Sequence, residues 1–292
     1  MTRSFSAAVL IGLALGSPGG GRSTLQLLQP GTLRPIHAVH LPNASLGYAW
    51  ARRYDTLAVV VKPVATGQPI RLVDARTMRV RRVIPVGERD VCGLAFRGST
   101  LFALAADRPC YRDGGSFSVL RIVGGRIVRV EPVAGLSTAA PTNLAFGDGN
   151  AYVARPGGTV EAVSLRTGRL SIHRLARATA KGERVEWTTW LGRHRLGIAG
   201  NVVDVRTWRR RPLAQGVTRV AGSGGVLVGW GAHGATVVRG SVRTHVLGDE
   251  PVIEAWVAGD YLYALVGAAT DVVDLRTGAR TRIVLRQLEV LG

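Results

Sequence analysis

The side chains that could carry chemistry in this 292-residue sequence are charged groups in short segments between apolar runs. The candidate ligand-binding residues are Glu88, Arg89, Asp90, Arg108, Asp113, Glu186, His233, Asp249 and Glu250. Paired carboxylates can hold a cation or act as acid and base, and an arginine beside them can bind an anion. The alternative is that these residues are solvated loop charges. Because neither a G-x-S-x-G nucleophile motif nor a glycine-rich phosphate loop accompanies them, we assign no catalytic residue.

The two cysteines, Cys92 and Cys110, are candidates for one disulfide bond. They are too few for a zinc site, which needs three or four ligands. In a hairpin that reverses near Gly98, the residue opposite Cys92 is expected near positions 106 to 108, from which Cys110 can fold back to bonding distance. A disulfide would favour an extracytoplasmic or secreted protein, whereas two free thiols would favour the cytoplasm.

The six histidines form no recognisable metal motif. Only His37 and His40 are close in sequence, and their spacing on a strand points them to opposite faces. No acid or cysteine stands at ligand spacing from them. The sequence therefore predicts neither a metal site nor a cofactor.

The chain is strongly basic, with a formal charge of +19 that comes almost entirely from arginine. Such a charge attracts anions, including nucleic acid, anionic lipid and acidic polymers. The alternative to an anion-binding role is that genome composition favours arginine at any solvated position, because the arginines are spread along the whole chain. No segment resembles a nucleic-acid-binding module, and no apolar run is long enough to cross a membrane.

A short unit that places an acidic or polar residue shortly before a threonine recurs along the chain and indicates an ordered set of elements. Its five clear copies are Leu27–Pro35, Leu72–Val80, Ala162–Leu170, Val202–Arg210 and Val272–Arg280, and two degenerate copies are Val119–Val130 and Val237–Leu247. Each copy predicts two short strands joined by a tight turn, in which the polar residue accepts backbone amides two or more residues on. The sequence thus contains seven such hairpins.

A second repeat lies between the hairpins and consists of a small residue, an aromatic residue and then a short apolar strand. The aromatic residues are Trp50, Phe96, Phe146, Trp190 and Trp256. Together the two repeats give four antiparallel strands, a to d, in about 40 residues, which is the period of a propeller blade. We therefore expect an all-β fold, a seven-bladed β-propeller that forms one domain over residues 1–292. We expect the aromatic residues to pack between blades rather than to form a stacking ring around the channel.

The two ends of the sequence supply the strands that the first blade lacks. Leu288–Gly292 matches an innermost strand, and Ala7–Gly16 matches a second strand. The two segments are expected to pair and close the ring within one blade. The alternative is that residues 1–16 form a secretory signal, with Arg3, an apolar stretch and a small-x-small cleavage site.

The V-D-x-x-T-G unit resembles the blade repeat of the YVTN and PQQ-type, or quinoprotein-like, propellers. This resemblance implies a disc of radial blades that holds ligands on the face carrying the b–c and d–a loops. Relatives of this kind include dehydrogenases, lactonases, cyclases and binding platforms. The tryptophan that usually follows T-G in quinoprotein blades is absent at Gly168–His173 and Gly278–Val284, and Trp208 replaces the glycine itself. No quinone cofactor is therefore expected.

Two functions fit these patterns. The first is a non-catalytic binding or scaffold module, because structural repeats account for nearly every patterned residue. The alternative is an enzyme, either a hydrolase or lactonase or a quinoprotein-like oxidoreductase, with the loop acids forming a site at the channel mouth. The partner is not identified by the sequence; an anionic polymer or a protein ligand would suit the charge, and the chain is expected to be a monomer.

Overall fold

The computed structural model describes residues 10–14, 23–41, 47–62, 67–110, 115–136, 144–155, 157–175, 188–284 and 288–290. These residues form seven four-stranded antiparallel sheets arranged as a seven-bladed β-propeller. They include no helix, and so no helix that could span a membrane. The predicted fold class is confirmed.

The strands follow one another through the blades in chain order, with the last strand returning to the first blade. Blade I contains β1 (Leu10–Ala14), β2 (Ser23–Leu28), β3 (Pro35–Leu41) and β28 (Leu288–Val290). Blade II contains β4 (Gly47–Arg53), β5 (Thr56–Lys62), β6 (Ile70–Asp74) and β7 (Val80–Ile84), and blade III β8 (Asp90–Arg97), β9 (Thr100–Ala106), β10 (Phe117–Val123) and β11 (Arg126–Val133). Blade IV contains β12 (Leu144–Gly147), β13 (Asn150–Arg155), β14 (Thr159–Ser164) and β15 (Leu170–Arg174). Blade V contains β16 (Thr188–Gly192), β17 (Arg195–Ile198), β18 (Asn201–Asp204) and β19 (Arg210–Pro212), and blade VI β20 (Val217–Ser223), β21 (Val226–Gly231), β22 (Ala235–Arg239) and β23 (Val242–Val246). Blade VII contains β24 (Glu254–Ala258), β25 (Tyr261–Val266), β26 (Ala269–Asp274) and β27 (Arg280–Ile283).

The ring closes within blade I, as predicted. β28 pairs with β1 in antiparallel register, with Gly12 opposite Val290 and Ala14 opposite Leu288. This pairing confirms the strand expected near the start of the chain for residues 10–14. The remaining residues of the predicted strand, and residues 291–292, lie outside the described ranges.

The antiparallel order gives the propeller two different faces. The turn face carries the short a–b and c–d turns, and the loop face carries the b–c and d–a connections. Strands inside a blade are continuous apolar runs, such as β9, which is buried along nearly its whole length. Outer strands such as β7 carry exposed arginines beside aliphatic residues, and charge on an edge strand discourages pairing with other chains.

Five c–d turns share one backbone geometry, which confirms the clear copies of the repeat. In blade II, for example, the amide of Met78 donates to the carbonyl of Asp74 at 2.8 Å, and the amide of Asp74 donates to the carbonyl of Arg79 at 2.8 Å. The fifth turn position always has a positive φ, the conformation that favours glycine. The residues there are Leu33, Met78, Gly168, Trp208 and Gly278. The turn geometry thus explains why the repeat reads T-G wherever packing does not demand a side chain.

The repeated aromatic residues pack between blades, as predicted. Each contacts one of the apolar clusters that fill the spaces within and between neighbouring sheets. The fit is tight at Gly147, where an added Cβ would lie 2.0 Å from the Trp190 ring of the next blade. Trp190 in turn lies parallel to Tyr152, with ring centroids 5.8 Å apart.

Candidate functional site

The loop face holds the predicted disulfide bond. Cys92 and Cys110 are bonded, with their Cα atoms 5.5 Å apart. The predicted hairpin register is wrong in detail. β8 and β9 join through a two-residue turn, and a bulge at Cys92, between Val91 and Gly93, shifts Val91 into register with Ala105. The bulge displaces Cys92 from the regular pairing, and the connection after β9 returns Cys110 to it.

Asp90 fixes the connection that contains Cys110. Its carboxylate accepts a hydrogen bond of 2.9 Å from the backbone amide of Cys110, and the Asp90 side chain is buried. Further along, Asp107 accepts a bond of 2.8 Å from the amide of Ser116 and closes the base of the loop. In this geometry the carboxylate of Asp90 holds the backbone at Cys110 in place.

A second loop-face candidate, Glu250, belongs to an ion-pair network on blade VII. Arg280 and Arg282 of β27 each bind both Glu250 and Asp271, at N–O distances of 2.6 to 2.8 Å. Burial alone would raise the pKa of Asp271, but the hydrogen bonds from Arg282 and Arg280 outweigh it and lower the pKa. The same arginines lower the pKa of Glu250, Arg282 most strongly. The two acids and two arginines neutralise each other and join the VI–VII connection to the outer strand.

The other predicted site residues remain candidates without a shared geometry. Arg89 donates a 3.3 Å hydrogen bond to the carbonyl of Val86. Glu88, Arg108, His233 and Asp249 are exposed. Asp113 and Glu186 lie outside the described residues. Within the described ranges, no three His, Cys, Asp or Glu side chains come together as metal ligands.

On the turn face, the carboxylates of the repeated aspartates accept hydrogen bonds from backbone amides. The Oδ1 atom of Asp74 accepts the amides of Arg76 and Thr77 at 2.8 and 2.9 Å, and its other oxygen pairs with Arg81. The amides of Thr77 and Arg76 are the main cause that lowers the pKa of Asp74 to about 2. Asp204 and Asp274 bind the equivalent amides. These three acids are therefore structural members of the turns.

His194 is held between two blades with both ring nitrogens in use. Its Nδ1 atom contacts the carboxylate of Asp148 in blade IV, and its Nε2 atom lies 2.7 Å from the guanidinium of Arg206. Because a guanidinium can only donate, Nε2 accepts and Nδ1–H donates to Asp148. A histidine held in this way has no free nitrogen for a metal or for proton transfer with a substrate.

Many arginines of the turn face and outer strands have no acid beside them. Those that are exposed and make no ion pair with any described acid include Arg34, Arg79, Arg82, Arg126, Arg166, Arg169, Arg174, Arg209, Arg211 and Arg243. The acids nearby are already engaged, as shown by Asp55 with Arg76 at 2.9 Å and Asp260 with Arg276 at 3.5 Å. The turn face thus carries uncompensated positive charge.

A groove of about 540 Å³ opens on this face between blades II and III. Its rim includes Arg53, Tyr54 and Arg82, and its floor is apolar. The sequence reasoning missed this site, because its residues come from two different blades. Tyr54 was the available signal, since an exposed aromatic residue in a two-residue turn has no structural purpose of its own.

The comparisons with known proteins agree with the architecture. No protein-family model matches the chain, and no curated protein matches it. Among the solved structures that match it are three that cover most of its length. The computationally designed Ika8 protein is 14% identical, with a TM-score of 0.56 over 97% of this chain and 89% of that one. BamB from Moraxella catarrhalis is 13% identical, with a TM-score of 0.51 over 94% and 87%, respectively. The dihydro-heme d1 dehydrogenase NirN, in complex with DHE, is 13% identical, with a TM-score of 0.54 over 98% and 76%.

At such low identity, a likeness of this kind shows the fold alone. The fold itself follows from the sheet order of this chain. The chain is a seven-bladed β-propeller that resembles the YVTN and PQQ-type propellers in its architecture.

Proposed function

We propose that the protein is a non-catalytic binding module whose turn face and outer strands bind an anionic partner. The observation that carries this proposal is the set of exposed arginines on that face with no acid partner among the described residues. A surface with excess charge of one sign attracts the opposite charge over roughly 10 Å at moderate salt.

The state of the acidic and histidine side chains favours binding over catalysis. Asp74 is committed to turn amides, Asp90 to the disulfide loop and Glu250 to two arginines. His194 has neither nitrogen free. General acid–base catalysis needs a group that can reach a substrate proton, and these groups are already bound within the protein.

The test is polyanion binding as a function of salt. We expect heparin and a mixed-sequence DNA duplex to bind, with affinity falling by roughly 100-fold between about 50 and 200 mM salt if about four anionic groups are contacted. Fluorescence anisotropy with either labelled probe measures this. The double variant Arg169→Gln/Arg209→Gln, in adjacent turns of blades IV and V, should lower the salt slope by up to about two.

The matched control removes two arginines from the loop face. Arg89→Gln/Arg108→Gln changes the net charge by the same amount, so it should leave the salt slope nearly unchanged if the turn face is the binding surface. Equal effects of the two double variants would indicate attraction by net charge alone and would contradict the proposal, as would binding that is insensitive to salt.

A further inference from the structure

The groove between blades II and III lies where the c–d turn of blade III is shorter than that of blade II. In blade II the c–d connection is the five-residue turn Asp74–Met78, whereas in blade III β10 and β11 are joined by Gly124 and Gly125 alone. The shorter turn leaves the edge of the core cluster between the two blades open to solvent. Leu72 and Phe96 lie on this edge and form part of the apolar floor.

The rim of the groove carries Arg53, Arg81 and Arg82 and one acid, Asp55, which is paired with Arg76. The guanidinium of Arg82 donates to the carbonyl of Gly124 and so reaches from the outer strand of blade II to the turn of blade III. Neither Arg82 nor Arg53 makes an ion pair with a described acid, whereas Arg81 is paired with Asp74. A hydrogen bond to a carbonyl leaves the charge of Arg82 uncompensated and available to a carboxylate.

Tyr54 places an aromatic side chain at a turn position where most of the equivalent turns have a glycine or a short polar residue. It occupies the first position of the two-residue a–b turn with φ 49°, and its side chain is 80% exposed. The same position, also with positive φ, is filled by Gly98, Asp148, Arg193, Gly224 and Gly259. A bulky aromatic residue is disfavoured in this conformation.

The Tyr54 side chain gains little from the fold in return. The guanidinium carbon of Arg53 lies 5.1 Å from its ring centroid, and the ring is otherwise exposed at the groove. Residues that break a local rule without structural benefit are expected at functional positions.

We propose that this groove binds an acidic peptide segment of a protein partner, with one apolar side chain on the floor and carboxylates at Arg53 and Arg82. Tyr54 covers the apolar side chain. The proposal rests on the proposed function and assigns a ligand class to one part of the basic face. The apolar floor favours a peptide over a polysaccharide or a nucleic-acid strand, since those would use the arginines but bury little apolar surface against Leu72 and Phe96.

The test compares two labelled peptides of equal charge, Glu-Glu-Phe-Glu-Glu and Glu-Glu-Gly-Glu-Glu, by fluorescence anisotropy at fixed salt. We expect the first to bind roughly tenfold more tightly. Tyr54→Gly should weaken its binding by a similar factor without lowering the thermal midpoint, because glycine suits the turn. Arg53→Gln/Arg82→Gln should weaken it too.

Arg193→Gly is the matched control, because Arg193 occupies the same turn position in blade V with φ 49° and lies outside the groove. It should leave peptide affinity unchanged. Tyr54→Ser gives a second variant should Tyr54→Gly fold poorly. Equal affinity for the two peptides, or no loss of affinity in the Tyr54 variants, overturns the groove proposal. Salt-dependent heparin binding by the wild-type protein would in that case still support the proposed function. Loss of salt-dependent heparin binding by the wild-type protein would instead overturn the proposed function.

Discussion

At the scale of single residues, the polar side chains of this protein are used mainly to join one segment of chain to another. Asp90 holds a loop, Asp74 holds a turn, and Asp148 and His194 join blades IV and V. Each is satisfied by contacts within the chain, as a buried or half-buried polar group requires. Arginines predominate among the exposed charged side chains that remain available to a partner, and the guanidinium group suits anion recognition.

His173 gives a prediction about pH. It stacks on Trp208 of the next blade, with ring centroids 3.9 Å apart, and burial lowers its pKa. The folded protein therefore binds this proton less readily than the unfolded chain does, so the contribution to stability is full above the ordinary histidine value of 6.5 and decreases as the pH falls below it.

Replacing the imidazole isolates this effect. His173→Phe keeps an aromatic ring against Trp208 but cannot titrate, so the loss of thermal stability between about pH 7.5 and 5.5 should be smaller than in the wild type. His37→Phe, on the exposed outer strand of blade I, is the control and should keep the wild-type pH dependence. An unchanged pH dependence in His173→Phe would show that other groups cause the loss of thermal stability at low pH.

At the scale of elements, the disulfide bond compensates for a long connection. The bond joins residues 18 apart in sequence and ties the b–c connection of blade III to the start of the innermost strand β8. Such a cross-link restricts the unfolded chain and stabilises the native state.

The double variant Cys92→Ala/Cys110→Ala should lower the free energy of unfolding by about 3 kcal/mol, the chain-entropy value for a loop of this length. For a chain of this length, that corresponds to a fall in the thermal midpoint of roughly 5 °C. Denaturant unfolding measures it, and wild-type protein in reductant should approach the variant. A variant as stable as the oxidised protein would mean that contacts such as the Asp90–Cys110 hydrogen bond already fix the loop.

The elements differ in how well the sequence predicts them. The five clear c–d turns were predictable because Asp74, or its equivalent, and the threonine after it act within a few residues of each other. The groove was not predictable in this way. It depends on a short turn at Gly124 and on Arg82, which reaches that turn from 42 residues away. The register predicted around Cys92 was one to three residues too far along β9, because regular pairing from the Arg97–Thr100 turn already places Ala105 opposite Cys92, and the bulge then shifts Val91 onto Ala105.

At the scale of the whole molecule, ring closure depends on the few residues of β28. Deleting residues 288–292 should remove the pairing with β1 and leave the inner edge of blade I open. We expect a fall in the thermal midpoint of about 5 °C or more and faster hydrogen exchange in residues 10–14. Deleting residues 291–292 alone keeps β28 and is the control. Unchanged exchange in residues 10–14 after the longer deletion would show that closure does not depend on this pairing.

The same pairing of β1 with β28 determines when the protein can finish folding. Ribosomes add roughly 5 to 20 residues per second, so β28 is synthesised on the order of 15 to 55 s after its partner. During that interval the inner edge of β1 has no strand to pair with, although the intervening blades can already form. The ring therefore cannot close before β28 has been made, and until then the nascent chain carries an unpaired strand edge.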